Sequence, residues 1–269
     1  MPAVELTRLR AQINELIARF GDPAGFHTAL CNLLDQYSNR AYRAGKAMQP
    51  QPAMPTYRVP PLIIRQLELE LSKTSQEQSE QALDVVEALW RDDHLEPRML
   101  STVLLGALPA SCGEAVAGKL REWALPEENF RLVEALFHNG TAGLRRHNPQ
   151  ILLNLVEEWI SSPRPQLQAI GVRALVPIVK DHNFENLPPV FRLLSLPVQT
   201  VPAALQTDLY LVMEALARRT PAETAYFLRQ SLSMASSPST ARLIRRCLPI
   251  FGPAQQASLR AALQAANPS

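Results

Sequence analysis

The chain has 269 residues, 46% of them hydrophobic, which is enough apolar sequence for a sizeable folded core. Its formal net charge of +2 is too small to argue by itself for a nucleic-acid partner. We find no apolar run long enough to span a bilayer and no secretory signal at the start, so the default expectation is a cytoplasmic protein.

Segments rich in leucine and alanine, with helical period, fill most of the chain. Together with only 10 glycines and few β-branched runs, they predict an all-α fold. In chain order we predict an N-terminal helical pair over 1–47, a Pro-rich linker over 48–59 and a run of short amphipathic helices over 60–269. Many of the 23 prolines stand where such helices begin or end.

Four segments repeat the apolar spacing i, i+3, i+4, i+7, i+8, so each has one stripe to bury. They are 82–90, 100–108, 152–160 and 167–175. Consecutive short amphipathic helices predict HEAT-like α-helical repeats that form a curved solenoid, because each helix pair buries its stripe against its neighbours. A compact helical bundle is the competing architecture.

Candidate metal ligands and acid/base groups are densest in the stretch ALWRDDHLEPRM, residues 88–99. The candidate ligands in this stretch are Asp92, Asp93, His94 and Glu96. A metal site would need consecutive side chains to converge on one ion, whereas ligands in known sites come from spacings that let them point inward together. We therefore favour a turn between two helices, in which Trp90 ends an apolar stripe and Pro97 lies in the first turn of the next helix.

The rest of the sequence contains no motif that indicates a metal site, a cofactor site or a catalytic cysteine. The sequence has no P-loop, no dinucleotide-binding glycine pattern and no zinc motif, and we expect neither a cofactor nor a metal. The three cysteines, Cys31, Cys112 and Cys247, are odd in number and far apart, which fits reduced thiols, and we expect none to be functional. A metal-dependent hydrolase centred on Asp92, Asp93 and His94 is retained as a third hypothesis.

The same stretch resembles a known family. It contains Leu89 and Trp90, a short acidic turn, and then His94, Glu96 and Arg98. This order is similar to the LW…HExR stretch of the AlkD-like DNA alkylation repair proteins, with one residue inserted. Upstream, residues 57–67 resemble the family's Gly-Val-Pro-x-x-x-x-Arg segment, with arginine in place of the glycine. Residues 147–175 and 205–228 resemble two later family patterns, so the likeness is collinear over residues 55–235.

The resemblance implies a right-handed solenoid of HEAT-like repeats whose concave basic face holds duplex DNA. Active members of the family excise positively charged alkylpurines without flipping the base into a pocket. A carboxylate stabilises the developing charge on the sugar, two tryptophans line the cleft and an arginine holds the DNA backbone.

Only half of those four positions keep a suitable side chain. The first tryptophan aligns with Phe130 and the catalytic carboxylate with Glu134, one helical turn later. The arginine aligns with Ala169 and the second tryptophan with Leu211, so both are missing. Arg173, four residues after Ala169, is a candidate replacement for the arginine. The alternative interpretation of Phe130 and Glu134 is a core aromatic ring and a solvated helix carboxylate.

The positive charge is concentrated in the second half of the chain. Residues 1–139 carry 14 Lys and Arg against 18 Asp and Glu, a net of −4, whereas residues 140–269 carry 13 against 7, a net of +6. Most of these cations are arginine, which suits bidentate phosphate contacts. The DNA-binding residues we predict are Arg145, Arg146, Arg164, Arg173, Arg218, Arg219, Arg242, Arg245 and Arg246. The alternative is that they complement the dipoles of helix ends.

The sequence thus predicts a monomeric DNA-binding HEAT-like repeat protein, with excision of alkylpurines that is weak, altered or lost. Double-stranded DNA bound without sequence specificity is the expected partner, and no membrane is expected. The alternative function is a non-catalytic scaffold that binds a protein partner, since a fold does not fix a function.

Overall fold

The structure, a computed structural model, describes residues 6–38, 54–125, 129–235 and 237–266. These residues form helices and no strand, which confirms the predicted all-α fold. The chain divides into two compact units, Met1–Asn148 and Pro149–Ser269. Residues 48–53 of the predicted linker lie outside the described residues, and so does the domain boundary predicted at residue 47.

Eight helices are described in the first unit. They are α1 (Leu6–Ile17), α2 (Pro23–Gln36), α3 (Pro61–Glu77), α4 (Ser79–Trp90), α5 (Leu95–Ala107), α6 (Gly113–Ala124), α7 (Phe130–Ala135) and α8 (Ala142–His147). Helix α1 contacts α3, and α3 contacts α5, while α2 contacts α4. Each of these helices therefore packs against the helix after the next one, as well as against its neighbour in sequence.

The second unit repeats this pattern with seven α-helices in its described residues. They are α9 (Pro149–Ile160), α10 (Pro165–Lys180), α11 (Pro188–Thr200), α12 (Gln206–Arg219), α13 (Pro221–Ala235), α14 (Pro238–Cys247) and α15 (Pro253–Ala266). Contacts link α9, α11, α13 and α15 in one row and α10, α12 and α14 in another. Two rows of alternating helices are the arrangement that stacked helix pairs produce.

The apolar stripes determine how these helices pack. All five stripe residues of α4, from Ala82 to Trp90, are buried, as are Leu152, Leu155, Val156 and Trp159 of α9. Prolines begin several helices, including α2, α3, α9, α13 and α15, since a missing N–H costs nothing there. Pro177 and Pro197 are exceptions that lie inside α10 and α11.

Within the described residues, no single helix has the length and hydropathy needed to cross a membrane. One sharply bent pair, Leu95–Ala107 with Ala110–Ala124, passes that test by length and composition alone.

Candidate functional site

The acidic stretch that follows α4 is a turn, as predicted. Helix α4 ends at Trp90, α5 begins at Leu95, and Pro97 lies in the first turn of α5. The carboxylate of Asp92 accepts hydrogen bonds from the backbone N–H of His94 at 2.6 Å and from its ring Nδ1 at 2.9 Å. Burial acts to raise the pKa of Asp92, but these hydrogen bonds, with those from His27 and Cys31, outweigh it and lower the pKa.

Glu96 anchors the segment that precedes α3. Its carboxylate accepts the backbone N–H groups of Tyr57 at 3.0 Å and of Arg58 at 2.7 Å. Arg58 has a φ of 57°, in the left-handed region that favours glycine. In this conformation the Cβ of Arg58 comes close to the following carbonyl oxygen, which strains the backbone by about 1 kcal/mol. Glu96 therefore has a structural role in the turn.

Stacked side chains hold α4, α5 and α6 together. The rings of Trp90 and Trp123 are parallel, with centroids 4.5 Å apart, and the guanidinium carbon of Arg98 lies 4.3 Å from the centroid of Trp90. Lys119 lies near the other ring and forms an ion pair with Glu87. Trp90 is thus part of the core, and Arg98 braces the turn by stacking on its ring.

Helix α7 presents the two residues that align with the catalytic half-site. Asn129 caps the helix, because its side chain accepts the N–H of Arg131 at 3.0 Å. Phe130 is 66% exposed and Glu134 is also exposed, whereas Leu132 and Val133 are buried. Phe130 and Glu134 therefore lie one turn apart on the solvent side of α7.

The exposure of Phe130 bears on one of its two interpretations, and its role in a site stays a prediction. A core aromatic ring would be buried, so the alternative that placed Phe130 in the core is wrong. Glu134 remains open to both interpretations, since an exposed helix carboxylate needs no special role. Helix α7 continues into a π-helical turn, Leu136–Gly140, that packs against α5. Turns of this kind are frequent at functional sites.

The other two aligned positions lie in the second unit. Ala169 in α10 is half-buried, and Leu211 in α12 is 41% exposed. Arg173 donates from Nε and Nη2 to the two carboxylate oxygens of Asp208, at 2.9 and 3.3 Å. Because Asp208 is buried, its charge needs this partner. The guanidinium of Arg173 is engaged by Asp208, and its predicted contact with DNA stays a prediction.

Two of the nine predicted DNA-binding arginines close helix ends. Arg145 donates from Nη1 to the carbonyl of Phe137 at 3.1 Å and from Nη2 to the carbonyl of His138 at 3.0 Å. Arg219 donates to three backbone carbonyls around the end of α10, those of Val179, Asp181 and Phe184. Such contacts are expected if these arginines complement the dipoles of helix ends, which is the alternative to DNA binding.

The remaining arginines are more accessible. Arg218 pairs with Glu214 at 2.8 Å, and the guanidinium carbon of Arg246 lies 4.3 Å from the ring centroid of Tyr210. Four others are exposed and form no ion pair with any described residue, namely Arg146, Arg164, Arg242 and Arg245. Helix α14 carries three of the predicted residues, Arg242, Arg245 and Arg246, on its exposed side, opposite its buried Leu243, Ile244 and Cys247.

Comparison with known protein families places the chain beside DNA repair enzymes. A family model described as DNA alkylation repair enzyme matches residues 34–242. This range includes all four aligned positions, Phe130, Glu134, Ala169 and Leu211. No curated protein and no solved structure matches the chain.

Proposed function

Because the chain belongs to the DNA alkylation repair enzyme family, we propose that it binds duplex DNA through HEAT-like helical repeats and acts on cationic alkylpurines. The observation that carries this proposal is the pair formed by Phe130 and Glu134, an exposed aromatic ring and an exposed carboxylate one turn apart on α7. The proposed excision is weak or altered, since only part of the catalytic set is present.

Each residue of this pair has a role in the proposed reaction. Excision breaks the bond between the base and the sugar, and positive charge develops on the sugar as the neutral base leaves. A water molecule then adds to the sugar and releases a proton to solvent. The carboxylate of Glu134 stabilises that charge, and the ring face of Phe130 attracts the cationic base before it leaves. A cationic base is a good leaving group, so electrostatic stabilisation supplies much of the rate.

The missing half explains why the proposed activity is weak. Alanine at position 169 has no guanidinium with which to hold the DNA backbone, and Arg173 is engaged by the buried Asp208. Leu211 offers apolar surface but no aromatic face. Positioning of the DNA thus depends on arginines elsewhere. We expect this to lower the excision rate, because a small misplacement of the reacting group slows the reaction strongly.

Glu134→Gln is expected to lower the rate of 7-methylguanine release from alkylated duplex DNA by about 100-fold, because the amide removes a negative charge that stabilises the transition state. Release is measured by chromatography of the free base under single-turnover conditions. Glu114→Gln, which changes an exposed carboxylate on α6, is the matched control and is expected to be silent. Equal release by Glu134→Gln and the unchanged protein would remove Glu134 from the reaction.

Replacement of Arg242, Arg245 and Arg246 by glutamine is expected to weaken binding to duplex DNA and to make the plot of log affinity against log salt less steep by up to about 3, since each lost phosphate contact reduces counter-ion release. Fluorescence titration at several salt concentrations gives the slope. The control removes the same charge from exposed Arg8, Arg10 and Arg19 of the N-terminal segment. An unchanged slope in the α14 variant would exclude α14 as part of the DNA contact.

Protein binding remains the second candidate function, and one observation favours it. Leu211 is exposed and, with Val176 and Val179, lines an open pocket that Lys180, Glu214, Arg218 and Arg219 also line. Apolar walls beside charged groups suit a peptide that buries an apolar side chain there. Failure of micromolar protein to bind duplex DNA at low salt would favour the scaffold over the DNA-binding function.

A further inference from the structure

Three side chains with different ligand atoms meet where α2 contacts the turn after α4. His27 and Cys31 are four residues apart and so lie on the same face of α2. Asp92 comes from the turn. His27 Nε2 lies 2.5 Å from Asp92 Oδ2, Cys31 Sγ lies 3.4 Å from the same oxygen, and Cys31 Sγ lies 3.6 Å from His27 Nε2.

We propose that His27, Cys31 and Asp92 bind a zinc ion, with solvent in the fourth position. Nitrogen, sulfur and oxygen donors of this kind are the set that zinc prefers. In a tetrahedral site with ordinary zinc–ligand bonds, sulfur lies about 3.5 Å from the nitrogen and oxygen ligands. The two distances from Cys31 Sγ already fit. Only the hydrogen-bonded atoms of His27 and Asp92 need to separate, by about 0.9 Å.

The surroundings hold the three donors in place. Asp92 is largely buried, with a side chain that is 7% exposed, and its second oxygen is fixed by the backbone N–H and the ring of His94. The ring of Tyr57 stacks on His94 with centroids 4.4 Å apart, and the side chain of Tyr57 interacts with Cys31. Hydrogen bonds that orient ligands in this way typically accompany metal sites. His27 is 32% exposed, which leaves a path for the ion and for solvent.

A zinc ion here would have a structural consequence. It would join α2, in the predicted N-terminal helical pair, to the turn between α4 and α5. An ion that binds the folded protein but not the unfolded chain raises the stability of the folded state. This consequence is independent of DNA binding and of base excision, so its test does not depend on the proposed function.

The test is titration of the full chain, freed of metal, with zinc in competition with a chromophoric chelator. The expected result is one ion per chain and a rise in melting temperature. Cobalt in place of zinc is expected to give a thiolate-to-metal charge-transfer band.

Cys31→Ser and Asp92→Asn are expected to lower the zinc affinity by about 100-fold or more, because each removes a ligand. His94→Gln is expected to lower it by about 10-fold, because His94 only orients a ligand. Cys112→Ser is the matched control, because Cys112 is also a half-buried free thiol and is not part of the group.

A second measurement uses the unchanged protein and so does not depend on the folding of any variant. Zinc is expected to slow alkylation of Cys31, measured by mass spectrometry of its peptide, and to leave alkylation of Cys112 unchanged. No zinc binding at micromolar concentrations would show that the three side chains form only a hydrogen-bonded joint, and would overturn the proposal. Equal affinity in Cys31→Ser, or equal protection of both cysteines, would also overturn it.

Discussion

Gly106→Ala is expected to lower the free energy of unfolding by about 3 kcal/mol, the upper end of what overpacking costs. A Cβ at this position of α5 would lie 1.9 Å from the carbonyl oxygen of Asn139 and 2.8 Å from its carbonyl carbon. Both atoms belong to the backbone of the π-helical turn Leu136–Gly140, so they cannot rotate away as a flexible side chain would. The overlap between the added Cβ and the backbone of Asn139 is removed only if α5 and this turn move apart.

Gly118→Ala is the matched control for this substitution. Gly118 lies inside α6, is exposed, and has nothing within 4 Å of an added Cβ. The same substitution there is expected to stabilise the protein by about 0.5–1 kcal/mol, because alanine is the better helix former. Urea denaturation of both variants measures the difference, and a Gly106→Ala protein as stable as the unchanged chain would contradict the close approach of α5 to the turn.

The position of Gly106 also links packing to the proposed reaction. The π-helical turn that it contacts follows directly after α7, which carries Phe130 and Glu134. Movement of the turn would shift the carboxylate of Glu134. The Gly106→Ala protein is therefore expected to lose the proposed base release even at temperatures where it remains folded.

Arg219→Ala is expected to lower the free energy of unfolding by about 3 kcal/mol, because it removes charged hydrogen bonds and leaves backbone carbonyls without their partner. The guanidinium donates to Val179 O at 2.7 Å, to Asp181 O at 2.9 Å and to Phe184 O. Arg219→Lys is expected to recover only part of the loss, since one ammonium group cannot reproduce the planar fork of donors.

Arg218 provides the control, because it is adjacent in sequence and carries the same charge. It is largely exposed and pairs with Glu214, one turn earlier. Arg218→Ala is expected to change stability by less than about 0.5 kcal/mol. Thermal and urea unfolding measure both effects. A stable Arg219→Ala protein that binds DNA less tightly would instead identify Arg219 as a phosphate contact and contradict its role at the end of α10.

The sequence predicted the helices, their buried faces and the turn after α4 because these depend on local chemistry. Helical period identifies the apolar stripe of α4, and proline at a helix start needs no neighbour to explain it. The order of short motifs indicated the family, which the match over residues 34–242 confirms. That match also supports DNA as the partner of the family.

Tertiary structure alone decided which side of a helix faces solvent and which polar groups meet. Helical period assigns Phe130 to a face but not to the core or the surface, because exposure depends on what the neighbouring helices cover. Arg218 and Arg219 look alike in sequence, yet one extends into solvent and the other closes the end of α10. His27 and Asp92 are 65 residues apart, and their contact exists only because α2 packs against α4. Local chemistry specifies each helix, whereas packing between helices brings such distant groups into contact.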